Sequence, residues 1–208
     1  MDLRDWARQI AELHERSGRN GINPYRLLAD HGQEAEFTPL PEGEQCGQAK
    51  GCYGNATHRV LLGGPGLEPD ESLTYYEGLC LSGFPIEHAW AQDADGRVYE
   101  LTLRHNDDRC PYCNGEGEIH PTDHWAYTAP DDDDEDFYED WTGEPDEFVT
   151  CEMCEGSGKH EAEDRTGTIY LGIPIDHETL RASMIANRTY GVLFTDPKRV
   201  AEMLGVTS

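Results

Sequence analysis

The sequence predicts an α+β fold carrying a cysteine-rich insertion, on three observations. Helical periodicity marks both ends of the chain, and strand-like runs with a clear turn fill the middle. Two Cys-x-x-Cys pairs, Cys110/Cys113 and Cys151/Cys154, interrupt that body. A chain of 208 residues can enclose one hydrophobic core and a small satellite, but not two large domains. Residues 1–30 therefore read as an N-terminal helical segment. Residues 31–109 and 165–208 read as the core, and 110–164 as an insertion with an acidic loop.

Leu3, Trp6, Ile10 and Leu13 recur at helical spacing, which predicts a helix over 2–15 that Ser17-Gly18 ends. A shorter helix should open at Pro24, where the missing N–H does no harm, and run to Ala29. Residues 31–50 have no period and read as an approach loop. A third helix starts at Cys52, includes Ala56, Val60 and Leu61, and breaks at Gly63-Gly64-Pro65-Gly66. Thr74–Cys80 has strand composition with a bulge expected at Gly78. Glu87–Gln92 and Arg97–Arg104 form a hairpin across Asp93-Ala94-Asp95-Gly96. After the insertion, Thr168–Ile173 resumes the body as a strand. Asp176 caps a helix over 177–187, Tyr190–Phe194 reads as a short strand, and Asp196-Pro197 opens the last helix.

Composition narrows the function. Asp and Glu number 42 against 16 Lys and Arg, for a formal charge of −26. That charge repels phosphate backbones and anionic lipid, so direct nucleic-acid binding is disfavoured, and a basic protein or peptide is the fitting partner. No signal-peptide-like or membrane-spanning run is present. Seven cysteines, four of them in metal-ligand spacing, fit a reducing cytoplasmic setting better than a disulfide framework.

Cys52, His88 and Glu100 follow one another in an order that can build a cysteine-nucleophile site. A thiolate forms readily at a helix start beside an imidazole, and the imidazole needs a third group to orient it. Backbone N–H groups near Cys52, with Gln45 or Gln48, are candidates to hold an oxyanion. The same residues also fit a structural account, with Cys52 a small core residue, His88 a satisfied buried polar group and Glu100 an exposed strand residue. Cys80 reads as core, and Cys46 as a weaker nucleophile candidate than Cys52.

Gly51-x-Cys52-Tyr53-x-Asn55-Ala56, then His88-Ala89-Trp90, then Glu100 with Thr102 two positions on, resembles the transglutaminase-like and papain-like cysteine superfamily, in particular its small bacterial and phage members. Tyr75 to Gly78 and Tyr170 to Pro174 extend the resemblance, which covers roughly residues 40–105 and 165–195. It implies an antiparallel sheet packed with helices and attack on amide or isopeptide carbonyls. It also implies Cys52 as nucleophile, His88 as base and then acid, and Glu100 as orienting carboxylate. Glu at the last position departs from the commoner Asp.

Cys110, Cys113, Cys151 and Cys154 each belong to a Cys-x-x-Cys-x-Gly-x-Gly unit, and four thiolates so spaced suit one structural zinc ion, with iron as the other metal that four thiolates hold. Each unit resembles the repeat of the zinc-binding region in DnaJ-type chaperones. That family carries more repeats, so the resemblance implies a zinc-stapled insertion rather than chaperone activity. His120, His124 and His160 are substitute ligands that four sulfurs make unnecessary. The run Asp131 to Asp136 reads as a solvated loop able to meet a partner. Two functions compete: a cysteine peptidase, deamidase or acyl transferase working through an acyl-thioester, and a catalytically inactive zinc-stabilised module that binds a basic partner. A thiol-redox role ranks third.

Overall fold

The computed structural model describes residues 2–18, 21–41, 46–47, 50–63, 72–103, 108–110, 113, 115–119, 148–151, 154–160, 165 and 167–206. The chain divides into two compact units, Met1–His105 with Asp164–Ser208, and Asn106–Glu163. Gln45, Gln48, Gly64 to Gly66, His120, His124 and the run Asp131 to Asp136 lie outside the described residues, as does the side chain of His160.

In the larger unit, α1 (Leu3–Arg16) is capped by the Asp2 carboxylate, which accepts the Arg4 and Asp5 N–H groups. Its buried stripe is Leu3, Ala7 and Ala11, whereas Leu13 is exposed. The expected stripe marked the large side chains, but small alanines are what allow α2 (Pro24–His31) to lie close. Asn23 ties the two together, since its Oδ1 accepts Tyr25 N–H and its Nδ2 donates to Ala11 O. Arg4 closes the far end of α2 by donating to Ala29 O and Gly32 O.

Five strands follow: β1 (Gln33–Glu36), β2 (Thr74–Ser82), β3 (Phe84–Gln92), β4 (Val98–Tyr99) and β9 (Ile169–Ile175). They form a curled antiparallel sheet in the order β1-β9-β2-β3-β4, with helices packed against it. α3 (Cys52–Leu61) packs on β3 and β2, and α4 (His177–Asn187) and α5 (Pro197–Met203) complete the unit. Alternation along the strands divides the interior. Tyr75, Leu79, Ala89, Ala91, Leu171, Ile173 and Ile175 join the helices in the main core. Tyr76, Cys80, Trp90, Val98 and Tyr170 form a second cluster. Cys80 is core, as its sequence context indicates.

Four local expectations are corrected. Residues 33–36 form an edge strand rather than a loop. The second arm of the hairpin is strand only at Val98–Tyr99. Tyr190–Phe194 is bends and turn, because the Glu77 carboxylate takes the Val192 and Phe194 N–H groups that a strand partner would need. Gly78 makes no bulge: it pairs in continuous register with His88 on one side and Gly172 on the other.

A Cβ at Gly78 would stand 2.1 Å from Leu171 O, and one at Gly172 would stand 2.3 Å from Trp90 Cη2. Gly172 clears the floor on which the indole of Trp90 lies, and Gly78, directly opposite, leaves room for the β9 backbone. Gly78→Ala meets backbone, which cannot rotate away. It is expected to destabilise the unit by about 1–3 kcal/mol or more in denaturant titration. Among the described residues no helix is long and apolar enough to cross a membrane.

In the smaller unit, β5 (Asp108–Arg109) pairs with β8 (Lys159–His160), and β6 (Glu118–Ile119) pairs with β7 (Val149–Thr150). The strand entering each Cys-x-x-Cys turn therefore pairs with the strand leaving the other.

Candidate functional sites

Two cysteine sites are present, one in each unit. In the larger unit, Cys52 is the first residue of α3. Lys50 turns the chain into that helix at φ 62, a left-handed conformation that residues other than glycine seldom adopt. Gly51 supplies no capping side chain, so the N–H groups of the first turn are left unclaimed by one, and the helix dipole favours negative charge there. Asn55, one turn on, donates to Leu101 O at 3.1 Å and to Thr102 Oγ1 at 2.9 Å. These bonds join the start of α3 to the segment that carries Glu100.

His88 lies on β3 with its ring stacked against Trp90, centroids 6.4 Å apart. Its Nε2 is 2.8 Å from Glu100 Oε2, and Cys52 lies within electrostatic reach of the imidazole. His88 and Glu100 are thus brought into direct contact, with Cys52 near the imidazole. Glu100 is fully buried, contrary to the exposed position that a structural account would give it. Its Oε2 also accepts the Tyr170 hydroxyl at 2.9 Å, and its Oε1 accepts the Thr102 and Leu103 N–H groups, each at 2.9 Å. Four donors hold this carboxylate in place. They also explain the short β4, since the Thr102 and Leu103 amides turn inward to the side chain.

The charges follow from this geometry. Burial alone would lower the pKa of His88, but the charge of Glu100, the influence of nearby Cys52 and the hydrogen bond to Glu100 outweigh it and raise the pKa to about 9. Burial likewise works against ionised Glu100, yet His88 and the two amides hold its pKa below the usual carboxylate value. An imidazolium facing a carboxylate is the favoured state. Such a pair can hold a proton and return it to a neighbouring group.

Cys46 is half-buried, and its sulfur lies 3.8 Å from Glu100 O. Tyr170 and Asn55 complete the site, though composition and spacing gave neither a site role. Tyr170 shows only a strand residue in sequence, and its face emerges once β9 is known to lie beside β2. The asparagine does sit three residues after a helix-start cysteine, and that spacing is a usable signal.

In the smaller unit, the sulfurs of Cys110, Cys113, Cys151 and Cys154 all lie within 4.8 Å of one another and are buried. Sγ separations are 3.7 Å for Cys110–Cys151 and also for Cys113–Cys154. The edge of a tetrahedron with zinc–sulfur bonds of about 2.3 Å is about 3.8 Å, so the donor set fits the ion. Gly117 N–H donates to Cys113 Sγ at 3.2 Å. Burial resists ionisation of Cys154, but the backbone N–H of Gly158 and the neighbouring thiols lower its pKa to about 7.

The two turns brace each other: Cys110 N–H donates to Gly158 O and Cys151 N–H to Gly117 O, both at 2.8 Å. A Cβ at Gly117 would sit 2.3 Å from Gly156 O, and one at Gly158 would sit 2.4 Å from Gly115 O. The glycines of the motif are therefore needed where the turns meet. The four-cysteine cluster is consistent with a structural zinc site.

No protein-family model matches the chain, and neither does any curated protein or solved structure.

Proposed function

We propose that the chain is a cysteine-nucleophile enzyme acting on an amide or isopeptide bond through an acyl-thioester. The observation that carries this reading is the 2.8 Å contact between His88 Nε2 and Glu100 Oε2, with Cys52 close enough to act on the same ring. With the Nε2–H directed to Glu100, Nδ1 is the nitrogen left to exchange a proton with sulfur. Cys52 sulfur attacks the carbonyl carbon, and the carbonyl π pair moves onto oxygen. N–H groups at the start of α3 are suited to that oxyanion. When the oxyanion collapses, the C–N bond breaks and the imidazolium protonates the departing amine. Water or a second amine, deprotonated by His88, then displaces the thioester. The order of the three residues also resembles that of the transglutaminase-like and papain-like superfamily, with Glu in place of Asp.

Exposing the native chain to p-nitrophenyl acetate and measuring intact mass tests the proposal. The expected result is one hydroxylamine-sensitive acetyl group on Cys52, absent from Cys52→Ala. Failure to acylate Cys52 would contradict the enzymatic reading.

Burial favours a second reading. Cys52 is 8% exposed and His88 2%, so neither is an open nucleophilic surface group. With the four-cysteine site and the acidic surface, that suits a catalytically inactive, zinc-stabilised module that binds a basic protein. It would leave Cys52 unacylated while tight, salt-sensitive binding to a basic protein persisted.

A further inference from the structure

A cavity of about 450 Å³ opens in the larger unit between the α1–α2 corner, β3 and the Gly191–Phe194 turn. His14, Tyr25, Glu87 and Phe194 supply its chemistry, and among the described residues no Lys or Arg lines it. The rings of His14 and Tyr25 meet edge-on at 5.2 Å, and those of Tyr25 and Phe194 are tilted at 5.6 Å. Glu87 Oε1 accepts the Tyr25 hydroxyl at 2.5 Å, which fixes the carboxylate against the aromatic wall. Its Oε2 has no partner among the described residues. A held carboxylate beside two aromatic faces is the chemistry that receives an ammonium or guanidinium group on an alkyl stem.

The turn that bears Phe194 also approaches the residue after Cys52. Tyr53 follows Cys52 on α3, and a Cβ at Gly191 would lie 3.2 Å from its ring. Gly191 begins the turn that ends at Phe194, and the Glu77 carboxylate pins that turn through Val192 and Phe194 N–H. Burial raises the Tyr53 phenol pKa, and the charges of Glu77, Cys52 and Glu87 raise it further, so the phenol lies within electrostatic reach of all three. Glu87 also immediately precedes His88 on β3, on the opposite face.

We propose that the cavity bounded by His14, Tyr25, Glu87 and Phe194 is a subsite for a lysine or arginine side chain of the peptide on which Cys52 acts. The link to Cys52 rests on the enzymatic reading, whereas cation binding does not. Glu87 supplies the charge, Tyr25 and Phe194 enclose the alkyl stem, and the subsite selects the basic peptides that a chain of charge −26 attracts from solution.

Full-length, metal-loaded Cys52→Ala protein separates the two claims, because it binds without turnover. N-acetyl-lysine methylamide, titrated in by NMR, should shift the Tyr25 and Phe194 ring signals. N-acetyl-norleucine methylamide, which lacks the charge, should bind at least 10-fold more weakly. Glu87→Gln should remove most of that preference, while Glu202→Gln, an exposed acid elsewhere, should leave it intact. Equal binding of the two probes would overturn the subsite. So would ring signals unmoved by lysine, or equal loss in both variants, which would reveal only diffuse attraction to an acidic surface. Acylation of wild-type Cys52 by p-nitrophenyl acetate needs no cation and reports separately on the enzymatic reading. A positive NMR result with no acylation would keep the cation site and discard its role for Cys52.

Discussion

Glu100→Ala is expected to destabilise the larger unit by about 3–5 kcal/mol, the usual consequence of leaving one member of a buried charged pair alone. The substitution strips His88 of its partner and orphans the Tyr170 hydroxyl and the Thr102 and Leu103 amides. Denaturant titration reads the loss. Glu100→Gln keeps the volume and offers the amides an acceptor, so it should recover part of the stability. It removes the charge, however, and should return the His88 pKa toward the ordinary imidazole value, which NMR titration of that ring checks.

The pair also sets a pH window. Because the pKa of His88 is raised to about 9 on folding, its contribution is full below the unfolded value near 6.5 and is lost as pH rises through 9. The pKa of Glu100 is lowered, so its contribution is full above the unfolded value near 4.5 and is lost as pH falls through the lower folded value. Stability from this pair should therefore peak between about pH 4.5 and 6.5 and decline on both sides. The alkaline decline should vanish in Glu100→Gln.

The second large effect concerns the four-cysteine site. The native chain should contain one zinc ion by elemental analysis, and Cys113→Ser or Cys154→Ser should abolish it. Metal binding of this kind contributes on the order of 10 kcal/mol to folding, far more than two-residue ribbons can supply. Chelation should therefore remove amide-exchange protection from the β5–β8 and β6–β7 ribbons while β2, β3 and β9 keep theirs. Retained protection after complete removal of zinc would contradict a structural role for the metal.

Some of this was readable in the residues themselves. The Cys-x-x-Cys-x-Gly-x-Gly units state their own chemistry, because ligand spacing and turn geometry are both local. The turn from Asp93 to Gly96 was equally legible: Asp93 Oδ1 accepts the Asp95 and Arg97 N–H groups, and Gly96 takes φ 86. Strand β1 was not legible. Gln33-Glu34-Ala35-Glu36 has no apolar alternation, and it is a strand only because β9 offers it an unpaired edge. Glu77 shows the same limit. Nothing local reveals that a carboxylate will be buried and hold a turn 115 residues away.

For the candidate site, sequence order and hairpin position were enough to bring His88 and Glu100 near each other, but not to fix their contact. Ala91 lies opposite Tyr99, so continuing that register sets Glu100 across from Trp90 rather than His88. The carboxylate reaches the imidazole two positions further along, a diagonal that the longer stem of Glu helps to span. The supports from Tyr170 and Asn55 arrive from β9 and α3, and only the folded sheet makes them neighbours.

The most direct test of the central claim compares how fast iodoacetamide alkylates Cys52 in native wild-type protein and in His88→Ala, with the modified residue mapped by mass spectrometry. If His88, oriented by Glu100, activates the sulfur, Cys52 should react faster than Cys46 and Cys80, and the substitution should slow it by at least 10-fold. Unfolding of the variant would expose the thiol and act in the opposite direction, so a slower reaction cannot arise from lost structure. Equal or faster alkylation of Cys52 in His88→Ala would contradict the account.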